Sequence, residues 1–152
     1  MDKVVLFVCT GNTCRSPLAE GAFNLFASRS GLTGVVGKSA GLCAVNGSRA
    51  SGQSCAVAKE NGFSLDEFRS QTLTQELVDE AFLIVGMTDN HCRVIRSAVP
   101  QAADKVRRLL EFDQDGEVAD PYGGSVEAYR ECFRGMQKAL ENIVVFMQKQ
   151  NF

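Results

Sequence analysis

Six apolar residues in a row, "VVLFVC" from Val4 to Cys9, break off at a polar loop, and a Ser-Pro pair follows at Ser16 and Pro17. A run this short and this uniform reads as a strand covered on both sides, the kind found inside a parallel sheet. Further short runs recur at Val35 to Leu42 with polar interruptions, at Phe82 to Met87, and weakly around Val106 to Leu110. Helical patterns lie between them. Pro17 to Ser30 puts Leu18, Ala22, Leu25 and Phe26 on one face and meets Gly31 as a stop. Ser51 to Asn61 closes at Gly62, Thr74 to Ala81 leads into the third strand, and Asp89 to Ala98 precedes Pro100. Val126 to Lys149 spaces Tyr129, Phe133, Met136, Leu140, Ile143 and Met147 for burial. The alternation predicts an α/β fold: a single three-layer domain over residues 1–152, with a four-stranded parallel sheet and helices on both faces. Ligands of such sheets bind beyond the carboxyl ends of the strands, where Cys9 and the loop after it fall.

Charge and cysteine usage narrow the chemistry. Sixteen basic against eighteen acidic side chains argue against a nucleic-acid partner held on a broad basic surface, so an anion must be captured locally. The start "MDKVVLFVC" lacks a net positive lead-in and a small-residue cleavage site, and its apolar run is far below the roughly 20 residues of a membrane span. A cytoplasmic protein without a membrane partner is expected, a monomer, with its six cysteines as thiols. No pair of CxxC motifs or histidine-rich cluster suggests a metal, and no cofactor is expected. With His91 the one histidine and no GxSxG, a serine-hydrolase triad would hang on a single residue.

The junction itself, "VCTGNTCRSP", carries the chemistry. Thr10, Gly11, Asn12, Thr13 and Cys14 form a short loop, with Ser16 suited to cap a helix and Pro17 to its first turn. Backbone N–H groups converging at a helix N-terminus favour an anion, and Gly11 is expected to let the loop turn tightly. The same field favours thiolate over thiol, so Cys9 is a candidate nucleophile that needs no histidine base. Arg15 can fold over the cavity with a planar two-pronged grip on phosphate oxygens, which lysine lacks. Cys43 to Arg49, "CAVNGSR", has the same Cys-to-Arg spacing, but its strand is interrupted by Gly37, Lys38 and Ser39 and no helix follows closely. It reads as a surface loop.

These residues resemble the low-molecular-weight protein tyrosine phosphatases. The similarity covers nearly the whole chain through "VCTGNTCRSPLAE", "KSAGL" (Lys38 to Leu42), "VGMT" and "DPYGGS" (Asp120 to Ser125). The resemblance implies that Cys9 attacks phosphorus to form a cysteinyl-phosphate, that Arg15 and the loop amides hold the oxygens, and that Asp120 protonates the leaving group and then activates water. Phosphorylated proteins would be the substrates. The chemistry asks for such groups: a stabilised thiolate is both nucleophile and tolerable leaving group, fixed dipoles replace a metal, and the acid should sit in a partly desolvated site. The resemblance further implies that Ser16 bonds the cysteine sulfur, that Asn12 and Ser39 buttress the loop, and that Cys14 is a redox partner of Cys9, the alternative for Cys14 being a small buried residue. Asp120 alone could be a turn residue, since Pro121, Gly123 and Gly124 favour a bend, and Tyr122 either lines the mouth of the pocket or packs on the surface. Phe68 stands where family members often have histidine, so support of the loop is expected to differ.

Thr13 marks a choice of substrate. "GNTCRSP" resembles the subgroup acting on protein arginine, in which this threonine shapes the pocket and the aspartate contacts the guanidinium, while other members carry an aliphatic residue and act on phosphotyrosine. Three other readings stand beside these. A thioredoxin-linked arsenate reductase would need a thiol relay, with Cys92 near one expected region but Val99 where its partner would stand. A sugar-transport phospho-carrier would need neither Arg15 nor Asp120, and a phosphate-binding module would not turn over.

Overall fold

Strand β1 (Lys3–Cys9) runs through the middle of the molecule, and its side chains divide between two cores. The computed structural model describes residues 2–150 and 152. Val5, Phe7 and Cys9 point into one apolar cluster, whereas Val4, Leu6 and Val8 point into the other. This is the period of two that a pleated strand imposes, filled on both faces by apolar residues.

The sheet is all parallel, in the order β2–β1–β3–β4, with β2 at Val35–Gly41, β3 at Ala81–Gly86 and β4 at Val106–Arg108. Cys9 pairs with Gly41 in register, so the sheet's carboxyl edge presents both to the same loops. Helices α1 (Arg15–Arg29), α2 (Gly52–Glu60) and α5 (Val126–Gln148) cover one face. Helices α3 (Gln75–Glu80) and α4 (Asp89–Ala98), together with a 3-10 segment at Pro100–Lys105, cover the other. The expected three-layer α/β arrangement is therefore present. The fourth strand is only three residues long because Leu109–Phe112 winds into a 3-10 turn, which explains its weak sequence pattern. Among the described residues no helix is long and apolar enough to cross a membrane.

Helix α5 buries the six residues its spacing marked. Helix α1 corrects two expectations. It starts at Arg15 with Cys14 in the cap position and no side-chain cap, so Ser16 lies inside the first turn. Its inward face holds Leu18, Ala19, Ala22, Phe23 and Ala27, while Leu25 and Phe26 are only partly buried. The cause is the first turn, where Arg15 and Ser16 are buried for the sake of the site. Polar residues on the inward face erase the amphipathic signal that would have fixed the helix's rotation.

Candidate active site

The loop between β1 and α1 closes around the Cys9 sulfur. Ser16 Oγ lies 2.9 Å from Sγ, and the backbone N–H of Asn12 donates to Sγ at 3.3 Å. The direction of the Ser16 bond follows from its neighbour. Asn12 Oδ1 accepts the Gln71 N–H at 2.9 Å, so its Nδ2 faces inward and donates to Ser16 Oγ at 2.8 Å and to Ser39 Oγ at 3.0 Å. With its lone pair engaged by Asn12, the Ser16 hydroxyl aims its own proton at sulfur. The Ser39 hydroxyl donates to Glu20 Oε1 at 2.8 Å, and burial holds that carboxyl above the ordinary glutamate range. The loop thus rests on a hydrogen-bonded column of Asn12, Ser39 and Glu20. Gln71 ties in from a separate segment, its side chain also donating to Ser39 O at 3.0 Å.

One expectation about this loop changes. The residue that turns it is Asn12, with φ of 57°, and not Gly11, which has no positive φ. Asparagine is among the few side chains that tolerate the left-handed region, and here the amide is used on all sides. The glycine the loop requires is Gly41, where a Cβ would come within 2.6 Å of Thr10 O and 2.9 Å of Asn12 N. Phe68 packs against the apolar core, and the nearby Gln71 reaches the loop through Asn12.

Arg15 is 5 % exposed and donates from Nη1 to Val118 O at 3.1 Å. Its Nη2 lies 3.6 Å from Asp120 Oδ2. Asp120 is not desolvated as expected, for its side chain is 54 % exposed at the rim. Its Oδ1 accepts the Tyr122 N–H at 3.0 Å, so the DPYG turn and the approach to Arg15 coexist in one residue. Tyr122 forms part of the cavity wall and is largely exposed.

Cys9, Thr10, Gly11, Thr13, Cys14, Arg15, Asp120 and Tyr122 enclose a cavity of about 230 Å³. Asn12, Ser16 and Ser39 are buried and do not line it. A larger hollow of about 390 Å³ lies behind Asp120, bounded by residues such as Leu110, Val118 and Cys132, and lacks the converging donors of the smaller one. Cys14 is a free thiol like Cys9, and its Sγ sits 3.2 Å from Tyr129 Oη. Burial first, and the Cys14 contact second, push the Tyr129 phenol up to about 12. Burial likewise lifts Cys132 to about 12, leaving it a neutral thiol. Cys92 is fully buried in the core on the opposite face of the sheet from Cys9. Among the described residues no cluster of histidine, cysteine or carboxylate side chains could hold a metal.

The sequence reading missed His91, whose Nε2 lies 3.0 Å from Thr10 Oγ1. It missed Glu20, Gln71 and the Val118 carbonyl as well. Glu20 stood within the "SPLAE" string; the others have no local signal, because their role arises from chain segments far apart in sequence.

A cysteine sulfur that accepts a loop amide just ahead of a helix start, with an arginine and a rim carboxylate lining the same cavity, is an arrangement suited to binding an anion. Comparison with known proteins makes the class specific. Residues 4–151 match the family described as low molecular weight phosphotyrosine protein phosphatase, and the chain belongs to that family. It is a protein phosphatase, a hydrolase of the tyrosine or arginine kind. A protein-arginine-phosphatase of Geobacillus stearothermophilus is 38 % identical over 152 residues, covering 99 % of each chain. One from Bacillus subtilis is 36 % identical over 147 residues, covering 95 % of this chain and 97 % of that one. A solved low molecular weight protein tyrosine phosphatase from T. tengcongensis superposes with TM-score 0.89 at 37 % identity, covering 95 % of this chain and 99 % of that one.

Proposed function

We propose that this phosphatase hydrolyses phosphorylated protein side chains through a cysteinyl-phosphate, with phosphoarginine as the preferred substrate. The observation that carries the mechanism is the Cys9 sulfur, held by the Ser16 hydroxyl and the Asn12 amide at the floor of a cavity that also holds Arg15 and Asp120. These two donors fix the sulfur where it can face a bound phosphoryl group. The thiolate attacks phosphorus in line with the leaving atom, and the bond from phosphorus to that atom breaks. Asp120 gives the leaving atom its proton, and the loop amides with Arg15 take the charge on the equatorial oxygens. Water then attacks the phosphocysteine, Asp120 accepts its proton, and Cys9 leaves as thiolate. A side chain filling the cavity mouth covers the exposed face of Asp120, supplying the desolvation absent from the open site.

The preference for phosphoarginine is supported by Thr13 on the cavity wall and by the two relatives named protein-arginine-phosphatases. A guanidinium leaving group suits a carboxylate partner, which Asp120 offers at the rim. Phosphotyrosine is the second reading, supported by Tyr122 at the mouth, where an aromatic ring can stack, and by the similarity to a tyrosine phosphatase structure. The test is kcat/KM on a phosphoarginine and a phosphotyrosine peptide with one reduced preparation. A clear excess for phosphoarginine, narrowed by Thr13→Ile, supports the first reading. The reverse excess assigns phosphotyrosine, and turnover of neither overturns both.

A further inference from the structure

His91 is 3 % exposed, stands at the third position of α4 and has both ring nitrogens engaged. Nδ1 accepts the backbone N–H of Thr88 at 3.2 Å, while Thr88 Oγ1 accepts the His91 N–H at 3.3 Å, closing a capping box. A backbone N–H can only donate, so Nδ1 carries no proton. In a neutral imidazole the one ring hydrogen is then on Nε2, which donates to Thr10 Oγ1 at 3.0 Å. A cap needs only Nδ1. The second nitrogen reaches a residue 81 positions away in the loop that surrounds Cys9.

This contact dictates what the Thr10 hydroxyl can do. One lone pair is taken by the imidazole N–H, so its hydrogen cannot point at His91. Among the described residues Thr10 Oγ1 makes no other hydrogen bond, and Thr10 lines the cavity with Cys9 and Arg15. An exposed hydroxyl proton at the wall of an anion cavity is placed to meet an oxygen of a bound phosphoryl group. We propose that His91 is a positioning residue: a neutral Nε2–H imidazole that holds the Thr10 side chain as an added donor to phosphate. This rests on reading the Cys9 loop as the phosphate cradle.

The surroundings keep the imidazole in the required form. Burial, and then the Arg15 guanidinium, lower His91 to about 4, opposed by Asp120 and Glu117 from the loop ahead of α5. Gly86 at the end of β3 lets the helix approach, since a Cβ there would stand 3.2 Å from His91 Cβ and 2.7 Å from Cys92 Sγ.

Because His91 is the one histidine, a long-range nitrogen–proton spectrum of labelled protein contains a single imidazole. The Nε2–H tautomer, unchanged from pH 8 to 5, is expected; the Nδ1–H tautomer, or titration near 6.5, overturns the proposal. His91→Asn keeps an oxygen for the Thr88 N–H but falls short of Thr10, and Thr10→Val removes the hydroxyl. Each is expected to lower kcat/KM and the affinity for inorganic phosphate by roughly five- to tenfold with Tm little changed, as for one lost hydrogen bond. The double variant is expected to lose no more than either single. Losses that multiply overturn the proposal, as does a His91→Gln variant, long enough to reach Thr10, that recovers nothing relative to Asn. If the wild type turned over no peptide the proposed function would fail, whereas phosphate affinity and tautomer would still decide the role of His91.

Discussion

The two segments with a Cys-to-Arg spacing of six, Cys9–Arg15 and Cys43–Arg49, differ in nearly every physical respect although both place asparagine three residues after the cysteine. Cys9 ends a central strand and is 2 % exposed; Cys43 is exposed in a loop beyond the edge strand. Arg15 is buried against Val118 O, whereas Arg49 is exposed. Asn12 is fully buried and serves Ser16, Ser39 and Gln71, while among the described residues the Asn46 side chain accepts only the Thr72 N–H, at 2.8 Å. The second segment is nonetheless part of the frame, since Cys43 N–H donates to Thr10 O at 2.9 Å and Ser70 bridges to Val45 O and Ser48 N. Identical spacing builds a cavity only where the chain buries it behind a central strand and ahead of a helix.

That contrast can be broken at each position. Cys9→Ser is expected to remove turnover by on the order of 10⁴-fold or more, as loss of a nucleophile does. Cys43→Ser should leave kcat/KM on a phosphopeptide within about twofold, so equal losses would erase the distinction. Asp120→Asn should lower kcat by roughly 10²- to 10⁴-fold, the range for a general acid. The loss should shrink on an aryl phosphate whose leaving group needs no proton.

Arg15→Lys keeps a charge but loses the fork, and a drop of roughly 10²-fold is expected, comparable to removing a buried donor to a developing anion. Arg49→Lys should change nothing measurable by the same assay. Asn12→Ala strips a buried column of its centre and leaves a Cβ residue at positive φ, so thermal or urea unfolding should show a cost of about 2–4 kcal/mol. Asn46→Ala should cost about 0.5–1.5 kcal/mol for its single bond.

A further expected effect is on pH dependence. The folded pKa of His91 lies near 4, below its ordinary 6.5, so the unfolded chain takes up a proton first as pH falls. Stability should therefore decline from about pH 6.5 towards 4 and level off below that, as far as this group is concerned. Urea midpoints across that window should show the His91 share disappear in His91→Asn.

Much of the fold was legible along the chain. The run from Val4 to Cys9, the alternation of strands and helices, and the long face of α5 reveal themselves because burial on one or both sides leaves a local period. Helix α1 was misread in rotation because Arg15 and Ser16 occupy its inward face. The turn was attributed to Gly11, the generically permissive residue, when Asn12 takes the positive φ and is held there by contacts from residues 39 and 71.

The order of residues alone determined a cysteine, an arginine and a helix start within one short loop, and it separated that loop from its decoy through the strand ahead and the helix behind. These are short-range facts, set by covalent spacing and local burial. Only the tertiary structure decided that Asp120 comes within 3.6 Å of Arg15, that Glu20 and Gln71 brace the loop, and that His91 grips Thr10 across 81 residues. Hydrogen bonds between segments depend on which strands pair and which helices pack, and no local period records them.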